Sequence, residues 1–375
     1  MKIRIFLTFD HELPLGGLNT SFDNALFIPT QRVMDTADKL GVKVTLFSDI
    51  LCAYKFKEWD SANFYIPYKN QLQAAIRTGH DVQLHVHPHW LTTGYDGTHF
   101  LPSQDFLLSD FKNDTVYNGI PGVIRLSVSQ LKSICIPVDE SYACIAFRAG
   151  GYAIYPDTNV IFRALLDQGI RYDSSMAKGY YFSSGLSEVD FRHLPKNTNW
   201  FIDLDAPLQA YQQADFQNAS GILEIPIATI PKSLFEIPTR FKLKKYAARA
   251  VDNRGTMIHT DYKTGWRSRI KQLFSARMLS FDNHTLSLNY LLKIVQYNAH
   301  RYKNVSDEIL FSVISHPKSM GDYSFQLMEG FITSVQKSFP EAEFTTFSEF
   351  HRLEYRHPPA PLPVDRHGFK RGVGD

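Results

Sequence analysis

The regular alternation of strand-like and helix-like segments is the feature that most constrains the fold of this chain. Short apolar runs rich in branched and aromatic residues, such as residues 3–9 and 309–314, alternate with amphipathic stretches such as residues 69–77. This order predicts an α/β fold with a parallel sheet or barrel and helices packed outside it. Because such folds carry their chemistry at the carboxyl ends of the strands, polar residues that follow strands are the first candidates for a site.

The individual elements follow from the same patterns. We predict strands at residues 3–9, 42–48, 81–84, 144–147, 222–227 and 309–314. We predict helices at residues 30–40, 69–77, 156–167, 290–302 and 325–339. Three of these helices run into a glycine, Gly41, Gly79 or Gly169, as helices commonly do at their carboxyl ends.

Composition narrows the class of protein. The chain has 375 residues, of which 44% are apolar and 21% charged, as in a globular protein. A net charge of +2 argues against nucleic acid as a partner. The cysteines Cys52, Cys135 and Cys144 cannot all pair and show no CxxC spacing, which favours a reducing compartment. Because no apolar run reaches the ~18 residues that span a bilayer and residues 5–9 are too short for a signal peptide, we expect a cytoplasmic protein.

A cluster of histidines lies directly after the predicted strand at residues 81–84. His85 and His89 are four residues apart, so on a helical turn or a tight loop both imidazoles can face one metal ion. On a strictly extended segment His87 would share a face with them and could displace one as ligand. The alternative is a histidine-rich surface loop without a metal.

The first strand also ends in polar residues. Asp10, His11 and Glu12 follow the strand at residues 3–9, where side chains point into the ligand crevice of α/β folds. This position predicts a catalytic base and a third metal ligand. A strand followed by a charged turn is the plainer explanation.

Three later segments place further polar residues after strands. Arg148 precedes two glycines and Tyr152, Asp173 follows Tyr172, and His316 follows the strand at residues 309–314. Each alone is weak evidence, since a histidine after a strand is commonly a surface residue. Together, at the strand ends of one alternating chain, they indicate an active site.

Taken in order, these motifs resemble those of the NodB-type polysaccharide deacetylases, carbohydrate esterase family 4. The resemblance spans roughly residues 3–320 and is closest to the subgroup associated with lipopolysaccharide and capsule biosynthesis. The matching segments are Thr8-Phe9-Asp10-His11, Gly79-His80-Asp81-Val82 with His85 and His89, Arg148-Ala149-Gly150-Gly151-Tyr152, Tyr172-Asp173-Ser174-Ser175, and Ser315-His316-Pro317. The chain departs from the family at one position, because His11 stands where the family has a second aspartate.

The resemblance implies a distorted (β/α) barrel of about seven units and a metal-dependent N-deacetylase. The substrate would be an N-acetylated amino sugar in a cell-surface polysaccharide or in its nucleotide- or lipid-linked precursor. The expected cofactor is a divalent ion, Zn²⁺ by preference, held by His85, His89 and one of His11 or Glu12.

The resemblance also implies roles for the other residues. Asp10 would be the base that deprotonates water, and Arg148 would keep it ionised and oriented. The backbone N–H of Tyr152 is a candidate oxyanion donor. His316 would protonate the leaving amine, with Asp173 or another carboxylate keeping it cationic.

Two segments stand apart from the barrel pattern. We expect a catalytic domain over residues 1–355, with a basic insertion at about 232–285, and a loose Pro-, Arg- and Gly-rich tail over 356–375. The insertion is interpreted as a solvated helical face, or as a surface for a phosphate-bearing substrate or the inner face of an anionic membrane. Part of it, residues 243–251, could form an amphipathic helix.

Two other functions compete with the deacetylase. One is a metal-dependent amidase that acts on a non-sugar C–N bond, since one fold hosts many chemistries. The other is a catalytically impaired carbohydrate-binding protein, suggested by the missing aspartate. Against it, Asp10, Arg148 and His316 are all present.

Overall fold

The structure is a computed structural model. It describes residues 1–97, 99–196, 198–208, 210–211, 221–232, 255–256, 265–282, 287–304 and 307–356. The amphipathic helix expected at residues 243–251 and almost all of the expected tail lie outside these residues.

The described residues form nine α-helices and eighteen strands, many of the strands very short. The helices are α1 (Ile28–Lys39), α2 (Ile50–Trp59), α3 (Ile66–Arg77), α4 (Gly119–Cys135), α5 (Thr158–Asp167), α6 (Trp266–Leu273), α7 (Leu288–Tyr302), α8 (Asp322–Ser338) and α9 (Phe347–Arg356). The strands are β1 (Lys2–His11), β2 (Gly17–Leu18), β3 (Thr45–Asp49), β4 (Asp81–Val86), β5 (Gly94–Tyr95), β6 (Phe100–Leu101), β7 (Ala146–Ala149), β8 (Tyr172–Asp173), β9 (Tyr181–Ser183), β10 (Glu188–Asp190), β11 (Trp200–Ile202), β12 (Ala210–Tyr211), β13 (Leu223–Glu224), β14 (Thr229–Ile230), β15 (Gly255–Thr256), β16 (Arg277–Met278), β17 (Glu308–Ser315) and β18 (Ala342–Thr345).

Seven parallel segments form a closed, distorted barrel. Within the ten-stranded main sheet, the run β13-β8-β7-β4-β3-β1-β17 has every neighbouring pair parallel. Strands β11 and β12 extend the sheet beyond β13 in antiparallel pairs, and β18 pairs parallel with β1. The ring closes just after β13, where Ile227 forms a parallel bridge to Ser312 of β17. The amide of Ala228 donates to the Ser312 carbonyl at 3.0 Å, and the amide of Ser312 donates to the Pro226 carbonyl at 3.0 Å. The predicted barrel of about seven β/α units is therefore confirmed.

Helices separate most of the barrel strands and bury their apolar faces against them. Between β1 and β3 lies α1, which buries Val33, Met34 and Ala37. Between β4 and β7 lies α4, which buries a longer row that includes Val123, Val128 and Leu131. Apolar residues at helical spacing face the sheet in both cases, so burial of one stripe holds each helix in place. No helix in the described part of the chain is long and apolar enough to cross a membrane.

The sequence located most of these elements but shortened or missed others. The predicted strands at residues 3–9, 42–48, 81–84 and 309–314 correspond to β1, β3, β4 and β17. The predicted strand at residues 222–227 is regular only at Leu223–Glu224, because Pro226 has no N–H to donate to a ladder. No helix was predicted at the positions of α2, α4, α6 and α9.

The amino-terminal end of the barrel is closed by aromatic packing. Phe347 and Phe350 of α9 pack against Phe6, with ring centroids 4.6 and 5.6 Å away. Tyr172 lies 5.9 Å from Phe347. Ser348 fixes the start of the helix by donating its hydroxyl to Asp81 at 2.7 Å. This end of the barrel is therefore filled mainly by aromatic side chains, which leaves the carboxyl end for a site.

Candidate metal centre and catalytic site

The strand register brings the polar strand ends to one level. Within the barrel, His11 pairs with Ser48, Asp49 with His85, and His85 with Arg148. The loop after β17 adds His316 on the other side of β1. The carboxyl ends of five consecutive strands thus surround one point, as expected for parallel barrels.

Glu12, His85 and His87 form a group whose ligand atoms all lie within 4.8 Å of one another. The Nε2 atoms of His85 and His87 lie 3.3 and 2.5 Å from the same carboxylate oxygen, Glu12 Oε2. All three side chains are buried. Two imidazoles and one carboxylate form a ligand set that zinc enzymes use, with positions left for water and substrate.

The tautomer of His85 fits a metal ligand. Its Nδ1 lies 2.8 Å from the Arg148 carbonyl, which can only accept a hydrogen bond. Nδ1 therefore carries a proton, which leaves Nε2, 3.3 Å from Glu12 Oε2, as the nitrogen that an ion would bind. A carbonyl that orients a ligating histidine in this way is the usual arrangement around protein-bound metals.

His87 is held by its surroundings instead of by hydrogen bonds to its ring. Neither of its buried ring nitrogens makes a hydrogen bond, although Nε2 lies so close to Glu12. A Cβ on Gly150 would come within 2.6 Å of His87 Nδ1, so only glycine leaves room for the ring there. A buried ring nitrogen without a hydrogen bond is costly, and a cation at this point would bind Nε2 together with the Glu12 carboxylate.

His89 lies outside this group. After β4 the chain remains extended to His87 and then turns at Pro88–Leu91, so His85 and His87 share a face and His89 does not. The His89 ring packs 4.9 Å from Trp90 and 6.0 Å from Phe106. Burial, together with the neighbouring His87, holds the pKa of His89 well below its ordinary value. Of the two histidines named as ligands from their spacing, the structure brings only His85 to the candidate centre.

His11 also lies away from the group and faces α3. Its Nε2 is 3.0 Å from Gln71 Oε1, and its ring packs 4.6 Å from that of Tyr68. Burial outweighs the hydrogen bond that His11 Nε2 donates to Gln71 Oε1 and lowers the pKa of His11 to about 4. Along the extended β1, Asp10 and Glu12 share one face and His11 points to the other. Of the two residues named for the third ligand, Glu12 is the one at the centre.

Asp10 is fixed by a buried arginine. Arg148 Nη1 donates to Asp10 Oδ1 at 2.8 Å, and both side chains are almost completely buried. The other guanidinium nitrogens of Arg148, Nε and Nη2, donate to the carbonyl and the hydroxyl of Ser174 at 2.9 and 3.0 Å. Asp10 Oδ2 is left facing the centre, 3.9 Å from His85 Nε2. This geometry fits a base that is held in one orientation by a cation.

His316 faces Asp10 from the other side. Its Nε2 lies 3.5 Å from Asp10 Oδ2 and 3.6 Å from Glu12 Oε1. These three residues form a second group of potential ligand atoms. His316 Nδ1, however, lies 2.8 Å from Asp282 Oδ2, and its amide donates to the other oxygen of Asp282 at 2.8 Å.

The charges around His316 favour its protonated form. Burial alone would lower the pKa of His316, but Asp282, Asp10 and Glu12 outweigh it and raise the pKa to about 9. The carboxylate that holds His316 is thus Asp282, and not Asp173.

Lys318 completes the electrostatics of the site. Its ammonium lies 2.8 Å from Glu12 Oε1 and donates to the Leu13 carbonyl at 3.0 Å. Burial would raise the pKa of Glu12, but Lys318, His87 and His85 together hold it well below its ordinary value. Glu12 is therefore a carboxylate, with one oxygen on Lys318 and the other facing the two imidazoles.

Asp173 lies in a separate buried pair with Glu224. Asp173 accepts from the Ser175 hydroxyl at 2.7 Å, and Glu224 accepts from the Met176 amide at 3.2 Å. Burial and the neighbouring Asp173 raise the pKa of Glu224 well above its ordinary value. Burial also raises the pKa of Asp173, although Glu224 and Ser175 lower it in part. The two residues are paired in the β8–β13 register, so this carboxyl pair joins strands and does not face the centre.

A cavity of about 770 Å³ opens over the site. Asp10, Glu12, His87, His316 and Lys318 line its floor, and Tyr152 is among the residues of its wall. Tyr152 has a left-handed backbone with φ of 59°, a conformation that residues other than glycine rarely adopt. Further lining residues are mainly aromatic and apolar, with two cations: Phe106, Tyr180, Phe182, Leu186, Met278, Tyr290, Lys232 and Arg277.

Sequence reasoning missed three residues of this site. Lys318 follows His316 by two positions, and Asp49 ends β3, so the strand-end rule could have found both. Asp49 accepts from the indole of Trp90 at 2.6 Å and so fixes the turn that carries the histidines. Asp282 follows no regular barrel strand, and nothing in the local sequence marks it.

Comparisons with known proteins gave structural similarity only. Neither a family model nor a curated protein matches the sequence. A candidate polysaccharide deacetylase from Mycobacterium smegmatis is 10% identical, with 98% of this chain and 95% of that chain covered and a TM-score of 0.48. The PuuE allantoinase is 10% identical over 96% and 92%, with a TM-score of 0.48. A polysaccharide deacetylase from Bacillus cereus is 9% identical over 92% of both chains, with a TM-score of 0.37.

Proposed function

We propose that the protein is a metal-dependent N-deacetylase that removes the acetyl group from an N-acetylated amino sugar. The observation that carries the proposal is the convergence of Glu12, His85 and His87 beside two further groups, the Arg148-bound Asp10 and the Asp282-bound His316. These are the parts that amide hydrolysis needs: a metal site, a base and an acid. The motifs that resemble the NodB-type deacetylases contain four of these seven residues, namely Asp10, His85, Arg148 and His316.

Glu12, His85 and His87 would hold the ion, for which Zn²⁺ is the expected identity. Nitrogen and carboxylate ligands suit zinc, and the contact of His85 Nδ1 with the Arg148 carbonyl supports Nε2 as the ligating atom. When bound, a divalent ion polarises the amide carbonyl and lowers the pKa of bound water. His11 and His89 have no part in this proposal.

The residues around the centre divide the proton transfers between them. Asp10 takes a proton from the attacking water through Oδ2, while Arg148 holds Oδ1. The water oxygen bonds to the acetyl carbon, and the backbone N–H of Tyr152 is the proposed donor to the developing oxyanion. His316 then gives its Nε2 proton to the sugar nitrogen as the C–N bond breaks, and acetate and the free amine leave.

The acid and the base lie close enough for a proton to pass between them after turnover. Because Nε2 of His316 and Oδ2 of Asp10 are 3.5 Å apart, the proton gained by Asp10 can pass to His316 after turnover. Asp282 keeps His316 cationic between cycles, a role that we expected of Asp173 or another carboxylate.

We further propose a precursor of a cell-surface polysaccharide such as lipopolysaccharide or capsule as the substrate, with the amino sugar linked to a nucleotide or a lipid. The two cations Lys232 and Arg277 at the cavity wall would meet the phosphate of such a carrier. The three cysteines are buried and none forms a disulfide, which supports a cytoplasmic setting, at the inner face of a membrane where the carrier is a lipid.

Release of acetate from a panel of N-acetylated amino sugars, free and diphosphate-linked, tests the proposal. We expect release by the zinc-reconstituted protein, and loss of release without loss of metal in Asp10→Asn. Hydrolysis of small cyclic amides without acetate release would favour the non-sugar amidase. Saturable sugar binding with no turnover on any substrate, in protein that contains metal, would favour the impaired binding protein.

A further inference from the structure

The short helix α6 has its apolar and polar faces reversed relative to an ordinary surface helix. Trp266, Ile270, Leu273 and Phe274 follow one another at spacings of four, three and one, which places them on a single stripe. They are exposed to 68%, 45%, 67% and 68%, respectively. No residue of α6 is buried.

The polar side of α6 is the side that contacts the protein. The Tyr181 hydroxyl donates to Ser268 Oγ at 3.2 Å, and Gln272 Nε2 donates to the Ser183 carbonyl at 3.1 Å. The Lys271 ammonium lies 5.0 Å from the centre of the Tyr181 ring. These contacts fix the helix to β9 through its polar residues, so the apolar stripe faces outward. Contiguous exposed apolar surface of this kind marks an interaction site.

The helix is also strongly basic. Arg267, Arg269 and Lys271 lie within its eight residues, and it contains no acidic residue. The Arg267 guanidinium lies 5.4 Å from the centre of the Trp266 ring. An apolar stripe with tryptophan and phenylalanine, flanked by arginine and lysine, is the composition of a helix that lies in the interface of an anionic bilayer.

The position of α6 relates it to the cavity over the candidate site. Phe182 of β9, the strand that holds α6, lines the cavity, as do Arg277 and Met278 just after the helix. Lys232, at the same wall, donates to the Gln272 carbonyl of α6 at 2.8 Å. The exposed stripe thus adjoins the apolar and basic wall of the cavity.

We infer that α6 docks the protein on an anionic phospholipid bilayer, with Trp266, Ile270, Leu273 and Phe274 inserted at the interface. A second copy of the chain fits this face less well, because a symmetric contact would bring the cations of both copies together. Docking stands on the helix alone; its consequence, that the bilayer presents a lipid-linked amino sugar to the cavity, rests on the proposed function.

Sedimentation of the full chain with vesicles tests the docking, with phosphatidylcholine alone compared with a mixture of phosphatidylcholine and phosphatidylglycerol. We expect binding to the anionic vesicles, sensitive to salt, and a blue shift of Trp266 fluorescence on binding. The double variant Trp266→Ser/Phe274→Ser should bind at least about tenfold more weakly than the wild type, since each substitution removes a large apolar side chain from the interface. Arg267→Glu/Arg269→Glu should lose the preference for anionic lipid.

A matched control removes exposed apolar side chains elsewhere. Leu101→Ser/Val116→Ser changes residues that are 63% and 75% exposed and lie outside α6, and its vesicle binding should equal that of the wild type. Equal binding by the Trp266/Phe274 variant, absence of binding by the wild type, or a dimer that this variant dissociates would each overturn the inference. Acetate release from a water-soluble substrate, measured in parallel, should be the same for all these variants, so failure of the deacetylase proposal would be seen separately.

Discussion

The two ends of the barrel are built on the same strands but filled in opposite ways. At the amino end, β1 contributes Phe6 to an aromatic cluster with Phe347 and Phe350, and none of these groups needs a polar partner. At the carboxyl end, the same strand contributes Asp10 and β17 leads into His316, in a buried group of opposite charges.

Arg148 lies at the boundary between the two ends. Its guanidinium lies 4.4 Å from the centre of the Phe47 ring, which belongs to the aromatic end, and donates to Asp10, which belongs to the site. The contrast indicates that the amino end stabilises the barrel, whereas the carboxyl end holds buried imidazole nitrogens that have no hydrogen-bond partner within the protein.

The largest effect should follow from loss of the acid at the carboxyl end. His316→Ala removes the proposed proton donor but none of Glu12, His85 and His87, so turnover should fall by about 10²–10⁴-fold while metal content is unchanged. Steady-state acetate release and metal analysis of one preparation measure both. Loss of the metal together with activity would show that His316 is a ligand and not an acid.

A substitution at the amino end should have the opposite result, a loss of stability without a loss of metal binding. Phe347→Ala should reduce the free energy of unfolding by about 3–5 kcal/mol, because the ring is completely buried in the aromatic cluster. Urea unfolding measures this loss. Under conditions where the variant is folded, it should bind metal with the same stoichiometry as the wild type; altered stoichiometry would mean that the two ends are not separable.

Stabilisation of the folded protein by zinc is a smaller effect that should distinguish the two ends of the barrel in one assay. Zinc at about 100 times its Kd should stabilise the folded protein by about 2.7 kcal/mol if it binds only the native state. Thermal unfolding with and without zinc should show this gain in the wild type and in Phe347→Ala, and not in His87→Ala. A gain in His87→Ala equal to that of the wild type would place the ion elsewhere.

More of the fold than of the candidate site could be predicted from the sequence. Short apolar runs located β1, β3, β4 and β17, because strands buried on both faces remain mostly apolar along their length. The choice among histidines could not be made, because His-x-x-x-His spacing fits a helical turn whereas the chain stays extended from β4 to His87. Asp282 was not predicted because it reaches His316 through tertiary structure alone.

The smallest predicted effect concerns the Asp173–Glu224 pair, two buried carboxyl groups of which Glu224 has a pKa well above its ordinary value. Burial raises the folded-state pKa of Glu224, so the stability that its protonated form contributes is present at low pH and is lost as pH rises above the ordinary glutamate pKa. Glu224→Gln removes this titration. The difference in unfolding free energy between the variant and the wild type should therefore shift in favour of the variant as pH rises, by at most about 1.4 kcal/mol per pH unit. Urea unfolding at several pH values measures it; a pH-independent difference would show that the pair does not titrate as described.

Metal content of the purified protein tests the central claim most directly. We predict about one divalent ion per chain in the wild type, in His89→Ala and in His11→Ala, and its loss in His87→Ala and Glu12→Ala. The four variants share the same histidine-rich turn and strand end, so each serves as a control for the others. Retention of the ion in His87→Ala with loss in His89→Ala would contradict the centre assigned to Glu12, His85 and His87.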